Sequence, residues 1–192
     1  MASKSFLKRG FKAEAERIAE RCREEVGVSK FDPLDAFALA RHLDIPVISL
    51  DELDDFPEKH LNKLRQPSKF SAIWMPNEDG DKIIIHNTRH SAKRQQSNLM
   101  HELAHIIRNH EVPEDIARLC LLLNLHYYNK EQEEEAKYLG GCLQISRAGL
   151  QWALKRNFTR EEIADHFNAS IEMVVYRLNT TGVLIQQSYY KR

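Results

Sequence analysis

The sequence has no excess charge of either sign, because its 28 lysine and arginine residues are matched by 28 aspartate and glutamate residues. A neutral chain of 192 residues lacks the broad positive field expected of a dedicated nucleic-acid-binding protein. Its hydrophobic fraction of 42% is enough for an ordinary core and does not favour disorder. The composition therefore indicates a globular protein of one domain, or of one domain with a small addition.

Cysteine is scarce, and Cys22, Cys120 and Cys142 form no C-x-x-C pair. An odd and widely spaced set excludes a disulfide framework and a thiolate zinc site. We expect buried or half-buried thiols without a metal.

Long apolar runs are also missing. The longest, LCLLLNL at residues 119–125, is far too short to span a bilayer. The basic N-terminal segment lacks the apolar stretch of a secretory signal. We therefore expect a soluble cytoplasmic protein with no membrane contact.

Apolar periodicity predicts helices around a short run of strands. The predicted helices cover residues 11–28, 31–45, 91–110, 114–128, 131–144, 146–156, 160–168 and 171–179. Strands are predicted at 46–50, 70–75 and 82–87, with Asp79-Gly80 as the turn between the last two. Asp32 is predicted to cap the second helix, with Pro33 at its first position. The fold class is therefore α+β, mostly helical with a small antiparallel sheet.

The segment MHELAHIIRNH, residues 100–110, contains His101, Glu102 and His105 in H-E-x-x-H spacing. Histidines four positions apart lie on one helix face, so both imidazoles can reach a single ion. Glu102 is adjacent to this pair, where its carboxylate can act on a water molecule held by the ion. The alternative is a solvated polar helix face that matches the pattern by chance. The preceding strands favour the metal hypothesis, since an edge strand beside such a helix can hold an extended peptide.

A catalytic zinc needs three protein ligands and one open position. The metzincin spacing is excluded, because Arg108 and Glu111 stand where that class requires glycine and histidine. His110 follows His105 by five positions, about 140° around a helix. We interpret His110 as a helix-terminal cation or an exposed side chain.

A glutamate on a second helix is a better third ligand, as in a two-histidine, one-glutamate zinc site. Residues 131–143, EQEEEAKYLGGCL, offer Glu133, Glu134 and Glu135. Ala136 and Gly140 are small and four positions apart, so their face can approach another helix closely. A ligand on that face should lie three or four positions before Ala136, which favours Glu133 over Glu135. The remaining glutamates would form a solvated acidic face. Zinc is the default ion, although these ligand types would also admit manganese.

The segment FTREEIADHFNASIEMVVYRL, residues 158–178, predicts a helix-turn-helix. Thr159 and Glu162 match a capping box, and Ser170 is placed to cap the second helix. Its predicted apolar core consists of Ile163, Ala164, Phe167, Ile171, Val174, Val175 and Leu178.

This helix-turn-helix raises a second hypothesis, a DNA-binding transcription regulator. The recognition helix would offer Arg177 and Asn179, but Glu172 lies near the end that enters the groove. Residues 151–192 contain six lysines and arginines against four acidic residues, which is a weak basic footprint. Direct DNA binding is therefore not expected.

The segments MHELAHIIRNH, EEEAKYLGGCLQISR and FTREEIADHFNASIEMVVYRLNTTGV together resemble the ImmA/IrrE family of metallo-endopeptidases, over roughly residues 12 to 183. The resemblance implies a zincin-like core of the gluzincin type with Zn2+. It implies His101, His105 and Glu133 as metal ligands and Glu102 as general base. We assign residues 1–145 to the metallopeptidase core and 146–192 to a helix-turn-helix-like element packed on it.

The resemblance also implies a substrate class. Family members typically cleave a repressor or antitoxin that carries an XRE-type helix-turn-helix and is often encoded nearby. The expected function is thus a regulatory zinc endopeptidase with a protein partner. A catalytically inactive, zinc-stabilised interaction protein is a third hypothesis, since a metal motif does not prove turnover.

Two positions depart from the family pattern. Lys137 stands where the family has asparagine or aspartate, and Ser146 where it has proline. A lysine cannot accept the N–H of a ligand imidazole, so the group that orients the ligand is not identified. A donor to the oxyanion is also open, with Tyr127, Tyr128, Tyr138 and His90 as candidates.

Overall fold

The computed structural model describes residues 7–53, 57–77, 79–111 and 129–190, with the backbone alone for 187–190. The predicted helix at 114–128 lies outside these residues, as do Cys120, Tyr127 and Tyr128. The two described cysteines, Cys22 and Cys142, are buried free thiols, as expected.

Helices make up most of the described chain. They are α1 (Phe11–Val26), α2 (Ala36–His42), α3 (Glu58–Leu64), α4 (Ala92–Ile107), α5 (Lys130–Gln144), α6 (Arg147–Lys155), α7 (Arg160–His166), α8 (Ile171–Thr181) and α9 (Val183–Tyr190). The strands are β1 (Val47–Ser49), β2 (Ala72–Pro76) and β3 (Lys82–His86). The α+β fold class is confirmed. Within the described ranges, none of the helices has both the length and the apolar character needed to cross a membrane.

The sheet has the strand order β1-β3-β2. Strand β2 is antiparallel to β3, as predicted, but β1 is parallel to β3. The predicted antiparallel sheet is therefore correct for β2 and β3 and wrong for β1. Alternating apolar residues do not encode strand direction, and the segment from 50 to 81 is long enough for the crossover that a parallel pair needs. Strand β2 lies at one edge of this sheet.

Helix α2 begins later than predicted. Its N-cap is Asp35, whose carboxylate accepts a hydrogen bond from the backbone N–H of Phe37 at 3.0 Å, so the prediction of Asp32 is wrong. Gln96 of α4 donates to Asp35 at 2.7 Å and accepts from the N–H of Ala36 at 2.8 Å. This contact across about 60 positions fixes the first turn of α2 and also ties it to α4.

The C-terminal helices enclose their own apolar cluster, which extends from Ile145 to Val183. The capping box of Thr159 and the Ser170 cap are both present. Most of the predicted core residues of this element are buried, but Ile171 is 43% exposed and Val175 is half-buried. The division of the chain at 145 and 146 stays a prediction.

Two buried arginines hold the C-terminal end of α5. Arg23 of α1 donates to the carbonyls of Leu143, at 2.7 Å, and Gln144, at 3.3 Å, which would otherwise end the helix without partners. Arg177 of α8 donates to the carbonyl of Ile145 at 2.9 Å and pairs with Glu16 of α1 at 2.6 Å. These bonds fix α5 against α1 and α8.

Helices α4 and α5 approach each other closely at Gly140. A Cβ atom at this position would lie 3.0 Å from the carbonyl oxygen of Met100 and 3.2 Å from Cα of His101. Ala136, one turn earlier, is fully buried. The small residues of α5 thus allow the close approach that their spacing predicts, and the contact lies at the H-E-x-x-H segment.

Gly140→Ala should destabilise the protein relative to Gly141→Ala. Both changes gain about 1 kcal/mol of helix propensity. The new methyl at 140 meets helix backbone at 3.0 and 3.2 Å, whereas the one at 141 meets only side-chain atoms, Cδ of Arg177 at 3.0 Å and the Tyr176 ring at 3.3 Å. Side-chain atoms can be displaced at a lower cost than the backbone of a packed helix. We expect a free energy of unfolding lower by about 1–3 kcal/mol for Gly140→Ala, measured by urea denaturation. Equal stabilities would contradict the close approach.

Candidate metal centre

Helix α4 presents its histidines at the border of the core. Leu99, Met100 and Leu103 are fully buried, which anchors the helix. The side chain of His101 is 31% exposed and that of His105 is 7% exposed. Both imidazoles therefore lie between the core and a cleft, as the spacing predicts.

The second helix brings a carboxylate to this pair. The Nε2 atoms of His101 and His105 are 3.2 Å apart. One oxygen of Glu133 lies 3.1 Å from the Nε2 atom of His101, and the other lies 3.5 Å from that of His105. Among the residues that the structure describes, these three form a group whose ligand atoms all lie within 4.8 Å of one another.

These separations suit a zinc ion. Two ligands of a tetrahedral site with bonds of about 2.0–2.1 Å lie about 3.3–3.4 Å apart, and the distance of 3.2 Å between the two imidazole nitrogens is close to this value. Two imidazole nitrogens and one carboxylate oxygen are also a known ligand set of catalytic zinc. The three residues line a cleft of about 280 Å³, which leaves an open side for water and substrate.

The charge state of the histidines also suits a cation. Burial, with the nearby His101, lowers the pKa of His105 to about 3, so its imidazole is neutral as a ligand must be. Burial also lowers the pKa of His101, but the carboxylates of Glu133 and Glu102 outweigh it and the net direction is upward. The two carboxylates that favour a positive charge on His101 would also favour a bound cation.

Glu102 lines the same cleft without belonging to the ligand group. Its carboxylate accepts a hydrogen bond from the backbone N–H of Trp74 at 3.1 Å. Burial raises the pKa of Glu102 to about 7, against the opposing effects of His101 and this N–H. A divalent cation nearby would lower that pKa, because it stabilises the carboxylate. Glu102 is thus held beside the ligands, where a general base is required.

The structure separates the three competing glutamates. Glu133 faces the histidines, whereas Glu134 lines a different pocket with Lys137 and Tyr176. Glu135 is buried and pairs with Arg108, whose Nε atom lies 3.0 Å away. The geometry agrees with the sequence preference for Glu133, and its role as a ligand stays a prediction.

His110 is neither exposed nor a simple helix-terminal cation, so that prediction is wrong. Its side chain is buried, and its Nδ1 atom lies 2.9 Å from the Nδ1 atom of His105. Helix α4 ends at Ile107, and Asn109 adopts a left-handed conformation with φ 53°. The chain therefore turns back toward the helix, and the 140° phase of a continued helix does not apply. Asn109 was the available signal, since asparagine often ends helices in this conformation.

The two departures from the family pattern have structural explanations. Ser146 is buried, donates to the carbonyl of Lys30 at 2.7 Å and caps α6 by accepting from the N–H of Gly149 at 2.9 Å. Lys137 is exposed, with its ammonium 5.2 Å from the centre of the Tyr176 ring. Lys137 thus stabilises the surface of α5.

The described candidates for the oxyanion donor lie away from the cleft. Tyr138 packs against the ring of Phe11, and His90 makes a hydrogen bond to the carbonyl of Phe70 at 3.1 Å. Neither residue lines the cleft. Tyr127 and Tyr128 stay predictions.

Glu133→Gln should remove the metal, and Glu134→Gln should not. The amide is a weaker, uncharged ligand, so zinc affinity should fall by more than the roughly 10- to 100-fold that loss of an outer partner costs. Zinc content after dialysis measures the effect, with His101→Ala as a second zinc-free variant. Full zinc content in Glu133→Gln would refute this ligand set.

The comparisons with known proteins agree with the geometry. The family model described as IrrE N-terminal-like domain matches residues 40–179, most of the chain. A comparison with curated proteins gives no match. The matched range contains the histidine pair, Glu133 and the helix-turn-helix-like segment. The chain therefore belongs to the ImmA/IrrE family of metallopeptidases.

Proposed function

We propose that this protein is a zinc-dependent endopeptidase that cleaves an XRE-type helix-turn-helix repressor or antitoxin encoded nearby and thereby triggers a regulatory response. The observation that carries the proposal is the convergence of His101, His105 and Glu133 with Glu102 on one cleft. Family membership supports the peptidase chemistry, and the substrate class follows from the ImmA/IrrE resemblance.

Among the residues that the structure describes, no strand pairs with the outer edge of β2, which supports a peptide substrate. The carbonyl of Ser71 accepts from the N–H of Asn87, next to the paired strand β3. Main-chain groups alternate along a strand. The main-chain N–H and C=O groups of Ala72 and Trp74 therefore point toward the outer edge of β2, where the Trp74 N–H donates to Glu102. A peptide added to this edge would run along the cleft that holds the histidines.

The proposed mechanism assigns each side chain a separate task. The chemistry that zinc supplies when bound is activation of a water molecule and polarisation of a peptide carbonyl. His101, His105 and Glu133 would hold the ion. Glu102 accepts the water proton and passes it to the leaving amine. The Trp74 N–H keeps the Glu102 carboxylate oriented toward the cleft.

The alternative of a DNA-binding regulator has less support. Arg177, the arginine that a recognition helix would offer to bases, is fully buried and paired with Glu16 at 2.6 Å. Its guanidinium group therefore connects α8 to α1. The helix-turn-helix-like element thus has a packing role that accounts for its sequence pattern.

Glu102→Gln should bind zinc but lose proteolysis. Removal of a general base costs about 10²- to 10⁴-fold in rate. The assay incubates the purified protein with the helix-turn-helix protein encoded next to it and follows the fragments by mass spectrometry. Glu134→Gln, which changes a glutamate of α5 outside the cleft, is the matched control and should cleave normally.

Three outcomes would contradict the proposal. Equal cleavage by Glu102→Gln would refute the general base. Zinc binding without any cleavage by the wild type would favour the inactive interaction protein. A salt-titrated gel shift that gives tight, specific DNA binding by the protein alone would favour the regulator.

A further inference from the structure

We infer that His110 and Glu135 orient the metal ligand His105, and that His110 is a positioning residue of the metal centre. The inference rests on the proposed metal site. It assigns a function to two residues that neither ligate the ion nor line the cleft.

A series of side-chain contacts connects His105 through His110 to the buried Glu135. The Nδ1 atoms of His105 and His110 are 2.9 Å apart. On the far side of its ring, the Nε2 atom of His110 lies 3.3 Å from a carboxylate oxygen of Glu135. All three side chains are at least nine-tenths buried, so water does not compete for these bonds.

The direction of the hydrogen bonds follows from the ligand geometry. His105 directs Nε2 toward Glu133 and His101, so this nitrogen is the one that would bind a metal. Its Nδ1 atom then carries the proton and donates to Nδ1 of His110. His110 in turn carries its proton on Nε2 and donates to Glu135, which as a carboxylate accepts. Each donor in this series of hydrogen bonds thus meets an acceptor.

Glu135 has a second partner at the same carboxylate oxygen, Oε2. Arg108 donates to the same carboxylate at 3.0 Å and to Glu14 of α1 at 2.7 Å. The buried carboxylate therefore has charge compensation as well as hydrogen bonds. Such outer partners fix the orientation and tautomer of a ligand histidine and raise its basicity.

This arrangement supplies the acceptor that the family pattern places on α5. Lys137 carries no acceptor and lies over Tyr176 at the surface. His110 instead provides its Nδ1 lone pair from the turn after α4. We therefore expect zinc binding to depend on His110 although His110 does not touch the ion.

The test compares His110→Asn with His110→Leu in the full-length protein. The two side chains have nearly the same shape, but only asparagine can accept the N–H of His105. Zinc dissociation constants are measured by competition with a chromophoric chelator. His110→Leu should weaken binding by about 10- to 100-fold, and His110→Asn should restore most of the affinity.

A second readout follows ligand geometry. The visible absorption bands of the cobalt-substituted protein should shift in His110→Leu and stay close to wild type in His110→Asn. His166→Leu is the control, because it removes a hydrogen bond of 2.8 Å to the carbonyl of Phe31 far from the ligands. Its spectrum and its zinc affinity should be unchanged.

The outcomes separate this inference from the proposed function. A wild type that binds no zinc would overturn the metal site, and the role of His110 with it. Zinc binding by the wild type, with equal affinities in folded His110→Asn and His110→Leu, would overturn only the role of His110. If His110→Leu does not fold, Glu135→Gln is the second variant, because it keeps the shape and removes the charge. Unchanged zinc affinity in folded Glu135→Gln would then refute the inference.

Discussion

The distance between helices α4 and α5 is set by residues without bulky side chains. Gly140 lies against the backbone of Met100 and His101, and Ala136 is buried one turn earlier. Glu133 precedes Ala136 by three positions and so shares that face. The carboxylate consequently reaches the two imidazoles at 3.1 and 3.5 Å. A wider helix pair would hold the Glu133 carboxylate out of reach of the two histidines.

Helix α5 contributes to the centre from two sides. Glu133 faces the histidine pair directly, whereas Glu135 contacts His110, which in turn contacts His105. The bonds of Arg23 and Arg177 fix the far end of this helix, and the pairs of Arg108 connect its middle to α1. The position of Glu133 on α5 therefore depends on contacts with α1, α4 and α8 together.

The features of the site that depend on the spacing of residues within one helix could be predicted from the sequence. The spacing of His101 and His105 and the small residues of α5 follow from helix periodicity alone, and the Thr159 capping box follows from local hydrogen bonding. The remaining features depend on contacts between distant residues. Gln96 determines where α2 begins, and the crossover after β1 determines its direction in the sheet. The role of His110 was missed because the prediction continued α4 past Ile107, where the left-handed Asn109 ends it.

A crystal of the zinc-loaded protein, with anomalous data collected on both sides of the zinc absorption edge, tests the central claim most directly. The account predicts a single zinc peak between the Nε2 atoms of His101 and His105 and the carboxylate of Glu133. A peak at other side chains, or none in protein that has retained zinc, would contradict it.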